Sequence, residues 1–324
     1  MHSIAALQTI IGEALIERNF PSNPDTLYKP IKYFLEIGGK RLRPVLTLLA
    51  ADLFGAPVKA SLPAALAVEL FHNFTLIHDD IMDEAPLRRG RETIHKKWDI
   101  NTAILSGDAT LITAYQLLGE CNPELLPALL NVFNKMAQEV CEGQQLDMDF
   151  EKLLAVSEEE YLYMIRLKTS VLLGAALEMG AIFGQVNKQD RENIYAFGVN
   201  MGIAFQLQDD ILDVYGDPTK FGKQVGGDII ENKKTYLLIN ALQLAEGLDK
   251  QELIHWIETE DFDPQQKIGR ITAIYNQLGI EKLAHQKKMN FADQAYQALE
   301  AIALPSEKKR PLIEFAESLL SRER

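Results

Sequence analysis

Cysteine, net positive charge and long apolar runs are all scarce in this 324-residue chain, and each scarcity excludes a class of protein. Two cysteines, Cys121 and Cys141, are too few for a disulfide framework or a zinc site. Lys and Arg number 33 against 46 Asp and Glu, a formal net charge of −13. A non-specific nucleic-acid binder needs the opposite balance to displace counterions from phosphates, so no nucleic-acid partner is expected. The longest apolar runs, such as Val45–Ala51 and Val171–Leu177, fall well short of the roughly 18 residues that span a bilayer, and no membrane span is expected. The N-terminal residues place acids within their apolar stretch and lack a basic flank, which argues against a signal peptide and for a cytoplasmic globule. Linkers rich in Gly, Ser or Pro are missing too.

What the chain has instead is apolar residues, 47% against 24% charged, enough to bury a large core. They recur at helical spacing nearly everywhere, and alternating runs of the β type are hard to find. The pattern predicts helices near 3–19, 25–37, 44–54, 62–84, 99–119, 123–143, 157–183, 190–215, 233–246, 264–279, 282–302 and 308–321. Pro44 suits a first helical turn, Gly55 a helix end, and Ser61 the cap of a helix that Pro63 begins. The expected architecture is a single all-α domain over 1–324. The stretches 101–118 and 171–183 are apolar nearly all round, which places each in a core or a subunit contact.

Two acidic clusters stand out, LIHDDIMDEAPLRRG with Asp79, Asp80 and Asp83, and FQLQDDILDVYGD with Asp209, Asp210 and Asp213. Both are DDxxD late in a long apolar helix. Positions i and i+4 share a helix face, so Asp79 with Asp83, and Asp209 with Asp213, project two carboxylates the same way. Like charges at that spacing cost a few tenths of a kcal/mol, and they sit at the end of the helix dipole that disfavours anions. One such cluster is an ordinary solvated helix end; two matched ones ask for a cation. Mg²⁺ fits, because it takes one or two protein carboxylates and completes its shell with water and substrate phosphate oxygens.

Basic residues answer the acids in four places: GGKRLRP with Lys40, Arg41 and Arg43; PLRRG with Arg88 and Arg89; RLKTS with Lys168 and Thr169; and FGKQVGGDIIENKKTY with Lys223, Lys233 and Lys234. Arg pairs with phosphate bidentately and directionally, so the four sites are read together with the two metal sites.

GGKRLRP, DDIMD followed by RRG, KTS, FQLQDDILD, GK and NKKT, in that order over about residues 38–237, resemble the trans-type isoprenyl diphosphate synthases. The resemblance implies an all-α isoprenoid synthase fold in which the aspartate motifs face each other across a deep cavity. It also implies a homodimer, three Mg²⁺ ions, and head-to-tail condensation of isopentenyl diphosphate with an allylic diphosphate. Carried over by position, Asp79, Asp83 and Asp209 resemble the metal ligands. Arg88, Lys168, Lys223 and Lys233 resemble the clamp on the allylic diphosphate. Lys40, Arg43, His72 and Arg89 resemble the isopentenyl diphosphate pocket, and Thr169 and Gln206 the polar groups near the reacting carbons. Asp80, Asp210, Asp213 and Asp228 are expected as supporting acids. Gly143 to Asp147 resembles a further cavity turn, though a polar helix end explains it equally well.

In that chemistry, fixed cations stabilise charge on a departing diphosphate, an apolar cavity shields the carbocation from water, and the 216–234 segment closes as a lid. A terpene cyclase would lack the second DDxxD and GGKRLRP. A non-catalytic partner subunit of a heteromeric synthase would tolerate loss of the aspartates. Phe74, five residues before Asp79, and Phe71 one turn below would floor the cavity, with the small Thr75 nearer the metal. That floor disfavours long products, and the family resemblance, a single aromatic at the nearer positions with no insertion in the first motif, implies geranylgeranyl diphosphate first and farnesyl diphosphate second.

Overall fold

The computed structural model describes residues 2–153, 155–217 and 225–321. The chain is all-α, as the periodicity predicts, and it divides into two compact units. The first comprises Met1–Ala137, Ala175–Tyr195 and Ala303–Pro311. It opens with α1 (Ile4–Glu17), α2 (Asp25–Glu36), α3 (Leu42–Leu53) and α4 (Val58–Met82). A hairpin of two-residue strands, β1 (Leu87–Arg88) and β2 (Arg91–Glu92), leads to α5 (Ile94–Lys97) and α6 (Ile100–Gly119). Helix α4 packs chiefly on α6 and α3. Its middle carries Ala64, Ala65, Ala67 and Val68, all with no exposed surface, and such small side chains let neighbouring helices approach closely. Ser61 and Pro63 do not begin this helix. It starts at Val58 after Pro57, and the Ser61 hydroxyl donates to Val58 O at 3.1 Å inside it. Helix α4 is long and apolar enough to cross a membrane, yet 61% of its most apolar window is buried in the fold.

The second unit comprises Gln138–Gly174, Ala196–Ile302 and Leu312–Arg324. Its elements include parts of α7 (Leu126–Glu151), α9 (Val171–Phe183), α10 (Lys188–Tyr215) and α16 (Ser306–Leu320). Wholly within it are α8 (Glu158–Ile165), α11 (Gly227–Ile230), α12 (Tyr236–Leu244), α13 (Gly247–Glu258), α14 (Pro264–Leu278) and α15 (Ile280–Glu300). A reciprocal cap starts α8, in which Ser157 Oγ accepts the Glu160 N–H and Glu160 accepts the Ser157 N–H. The single helix expected over 157–183 is broken by a π-helical turn at Arg166–Ser170. Two glycines let helix backbones reach that turn. A Cβ on Gly143 would lie 2.2 Å from Lys168 N, and one on Gly202 would lie 2.7 Å from Ser170 Cα. Helix α13 falls between the helices expected near 233–246 and 264–279.

In the first unit Gly180 serves the same purpose, since a Cβ there would stand 2.2 Å from Thr47 O. Gly180→Ala is expected to lower unfolding stability by about 1–3 kcal/mol through overpacking, measured by urea denaturation. Full stability would show that α3 can shift at no cost.

Candidate active site

The first aspartate motif lies at the C-terminal end of α4. Asp79 and Asp80 occupy its last turn, and Asp83 caps it, donating its N–H to Asp79 O at 2.8 Å. Asp80 is only 1% exposed. Its Oδ1 accepts both Nε and Nη2 of Arg88, each at 2.7 Å, while its buried Oδ2 has no hydrogen-bond partner among the described groups. Burial pushes its pKa up, and Arg88 partly opposes the shift. Arg88 reaches back because the chain reverses sharply after it. Leu87 pairs with Glu92 and Arg88 with Arg91, and the intervening Arg89 and Gly90 have φ of 52° and 76°. Two left-handed residues in a two-residue hairpin match the strand twist, which is what RG supplies here.

The GGKRLRP segment approaches the same turn. A Cβ on Gly39 would stand 2.5 Å from Arg89 Nη1, so only glycine admits that guanidinium. Arg43 Nη1 lies 3.0 Å from His72 Nε2. An arginine can only donate, so the histidine nitrogen accepts and the ring is neutral. Burial, then the positive charges of Arg43, Arg89, Arg88 and Arg41, push the His72 pKa well down. Four expected residues therefore form one basic neighbourhood, with Lys40 exposed beside Gly39. Arg41 turns the other way. It pairs with buried Glu69 and donates to Leu35 O at 2.8 Å. Glu69 also accepts from Asn73 at 3.0 Å. No sequence signal marks this acid, because nothing in its spacing ties it to a motif twenty-eight residues earlier.

In the second unit, Asp209, Asp210 and Asp213 lie in the last two turns of α10. Asp210 is 4% exposed and accepts from Tyr161 Oη at 2.5 Å, Gln206 Nε2 at 3.3 Å and the Tyr236 N–H at 3.3 Å. Burial, and Asp228 nearby, push its pKa up to about 8 despite those donors. Asp213 Oδ2 accepts the Asp228 N–H at 3.0 Å, and Asp213 O accepts the Gly226 N–H at 2.6 Å. A cavity of about 140 Å³ is lined by Lys168, Thr169, Gln206, Asp210, Asp228 and Lys233, together with Asp147 and Tyr161. Lys168 pairs with Asp147, so the 143–147 segment does contribute to this cavity. Thr169 donates to Gln206 at 3.4 Å. Lys233 is 3.0 Å from Glu231 and 3.8 Å from Asp228. Lys223 lies outside the described residues, as do the other residues of 218–224 in the expected lid.

The two candidate floor residues differ. Phe71 is 1% exposed and packs on Phe133 at 5.4 Å between ring centroids, whereas Phe74 is only partly covered. Phe74 rests on Phe71 at 5.8 Å and against His78 at 4.7 Å. Phe71 thus backs Phe74 from the core. Thr75 directs its hydroxyl to His72 O at 2.9 Å. His78, one turn nearer Asp79, escaped the sequence reading. It donates to Ile104 O at 3.2 Å across a gap that Gly107 leaves open.

The neutral His72 has a pH signature. Its native pKa is depressed below the ordinary value of about 6.5, so the unfolded chain binds the proton first as pH falls. The stability this contributes is present above about pH 6.5 and is lost as pH falls through the depressed native value. Against His72→Gln, wild type is expected to lose unfolding free energy by at most about 1.4 kcal/mol per pH unit below that point. Denaturant titrations at several pH values check it, and parallel curves would mean that His72 titrates normally.

Residues 24–278 match the family described as polyprenyl synthetase. A geranylgeranyl diphosphate synthase of Methanosarcina mazei is 44% identical over 240 residues, 73% of this chain and 74% of the relative. A geranylfarnesyl diphosphate synthase of Natronomonas pharaonis is 38% identical over 270 residues, 78% and 79% respectively. A crystal structure of geranylgeranyl pyrophosphate synthase matches at a TM-score of 0.95 and 46% identity, covering 100% of both chains. Another, from Corynebacterium glutamicum and complexed with isoprenyl diphosphate and magnesium, matches at 0.85 and 26% identity, covering 98% of this chain and 97% of the other. With its motifs set on an all-helical frame of this kind, the chain belongs to the polyprenyl synthetase family.

Proposed function

We propose that this chain condenses isopentenyl diphosphate head-to-tail with allylic diphosphates, with Mg²⁺ as its metal and a short-chain product, geranylgeranyl diphosphate ahead of farnesyl diphosphate. The observation that carries this reading is the matched treatment of the two aspartate motifs. In each, the middle acid is buried and held by protein donors, while Asp79 and Asp83, and Asp209, are the candidate metal ligands. The donor set fits a hard cation of the Mg²⁺ type, being all carboxylate. The orphaned, buried Oδ2 of Asp80 marks a place where positive charge or water is called for. Among the described residues no three His, Cys, Asp or Glu side chains form a ready-made metal cage. That suits an ion that takes most of its ligands from phosphate and water. Three ions are the number the family resemblance implies.

When bound, the metal would supply Lewis-acid stabilisation of the departing diphosphate. The protein does the rest. Arg88, fixed by Asp80, and Lys168, fixed by Asp147, present cations whose positions are set before substrate arrives, which is what makes electrostatic catalysis effective. Lys233 adds a third. Arg43, Arg89 and Lys40 would hold the second diphosphate, with neutral His72 orienting Arg43. Thr169 and Gln206 offer oriented dipoles beside the reacting carbons. Phe74 would exclude water and stop the growing chain.

The chain reads as one prenyl synthase domain over 1–324, because the family match runs through both units. A homodimer is supported by an exposed apolar stripe on α6, where Ile100, Ile104, Leu105, Ile112 and Tyr115 remain 39–59% accessible. A surface of that kind marks a protein contact.

The test is incubation of the purified chain with isopentenyl diphosphate, an allylic primer and Mg²⁺. Turnover is expected to vanish with EDTA and return with Mg²⁺. Asp79→Ala or Asp209→Ala should cut kcat by about a thousand-fold or more while circular dichroism stays helical. Turnover that survives chelation, or loss explained by unfolding, would sink the reading. Phe74→Ala should lengthen the product on thin-layer analysis. An unchanged product would move the floor elsewhere.

A further inference from the structure

Helix α14 contains a lysine that the proposed reaction leaves unused. Lys267 has no exposed surface at all. Its ammonium donates to Asn232 Oδ1 at 2.7 Å and Ile230 O at 3.3 Å, and it stands 4.1 Å from the centre of the Phe262 ring. These partners are two neutral oxygens and a ring face. Burial pushes the lysine's pKa down. A desolvated ammonium is costly to keep, and an apolar side chain would fill the same space without that cost.

The oxygens it holds show what the charge does. Ile230 ends the one-turn helix α11, and its carbonyl has no later helical turn to bond. Asn232 is in the left-handed region, φ 54°, and its amide donates to Ile257 O at 3.1 Å. Asp228 and Lys233, both lining the 140 Å³ cavity, flank this turn and are tied together by the Lys233 N–H to Asp228 O bond at 3.0 Å. The same helix also grips the start of the segment. A Cβ on Gly226 would meet Ile268 Cδ1 at 2.7 Å, and Gly226 has φ 84°. Adjacent residues of α14 therefore hold both ends of the short stretch that carries Asp228 and Lys233.

We propose that Lys267 is a positioning residue, which fixes the 230–232 turn from behind and so sets where Asp228 and Lys233 stand in the cavity. It touches no substrate. It acts through Asn232 and the Ile230 carbonyl, in the way that supporting hydrogen bonds hold a catalytic group within the narrow tolerance that catalysis needs. The kinetic part rests on the proposed prenyl transfer. The structural part does not.

Lys267→Met keeps length and apolar body but removes the donors. Without substrate, hydrogen exchange of the amides over 226–235 is expected to speed up in this variant, while exchange in α10 and α12 stays unchanged. In turnover, kcat/KM for the allylic diphosphate should fall about ten- to a hundred-fold, the size of losing a hydrogen bond to a charged group. The KM for isopentenyl diphosphate should stay put, since its expected residues Lys40, Arg43, His72 and Arg89 belong to the first unit. Asn232→Gly removes the acceptor yet accepts the left-handed turn, so it replaces Lys267→Met if that variant does not fold, and should give the same split. Unchanged exchange over 226–235, or kinetic losses shared equally by both substrates and tracking a lowered Tm, would overturn the proposal. A wild-type chain inactive on both diphosphates would remove the functional reading, and the exchange comparison would still decide whether Lys267 holds the turn.

Discussion

Each aspartate motif buries its middle carboxylate, and the rest of the candidate site is arranged around that cost. Asp80 and Asp210 are 1% and 4% exposed, and in both desolvation is the largest cause of a raised pKa. A buried acid has to be met by donors, and most of the donors lie outside its own helix. Arg88 arrives on a hairpin for Asp80. Tyr161 from α8 and the Tyr236 N–H that opens α12 arrive for Asp210. Successive helical residues are turned by about 100°. Anchoring the middle acid inward therefore fixes the rotation of its helix and leaves the acids at i−1 and i+3 together on another side.

That geometry explains how anions are tolerated at the unfavourable end of two helices. Arg88 braces Asp80 through Oδ1, and Lys168 is held by Asp147. A net negative charge of 13 makes cations scarce, and three near the site are each placed by a specific partner, Arg88 by Asp80, Lys168 by Asp147 and Arg43 by His72. Preorganisation of this kind is what gives an electrostatic site its effect, since fixed charges need not reorganise when substrate charge develops.

Helix existence was legible because it depends on local apolar periodicity, and the two DDxxD segments were legible because i to i+4 spacing says which carboxylates share a face. What was not legible depends on partners far away in sequence. The hairpin at 87–92 is too short to show alternation, and its only local sign was Arg89-Gly90, a pair that also reads as a loop. The π turn at 166–170 has no compositional mark; it is visible only once Gly143 and Gly202 are seen against it. Helix α13 lacks a strong apolar stripe, burying only Leu253 and Trp256, so its segment reads as a connection. Glu69, Tyr161 and Lys267 belong to no motif. Each is found through the residue it holds, so none could be assigned before that residue was placed.

The GGKRLRP segment shows how closely structural and chemical roles can be interleaved. Arg41 precedes α3, which begins at Leu42, and Arg43 lies in its first turn, so the backbone turn at Arg41 lets the two point different ways. Arg41 takes the inward direction, and as the residue before the helix it has φ 50°. That left-handed conformation costs a non-glycine residue about 1–2 kcal/mol. The ion pair with buried Glu69 and the bond to Leu35 O hold it there. With Arg41 pinned, the first turn of α3 has one orientation available, and in it Arg43 meets His72. The glycines before it then bring Lys40 and Arg89 to the same neighbourhood, because Gly39 leaves no Cβ in the path of the Arg89 guanidinium. The strained arginine paired with Glu69 is therefore what aims the one that meets His72.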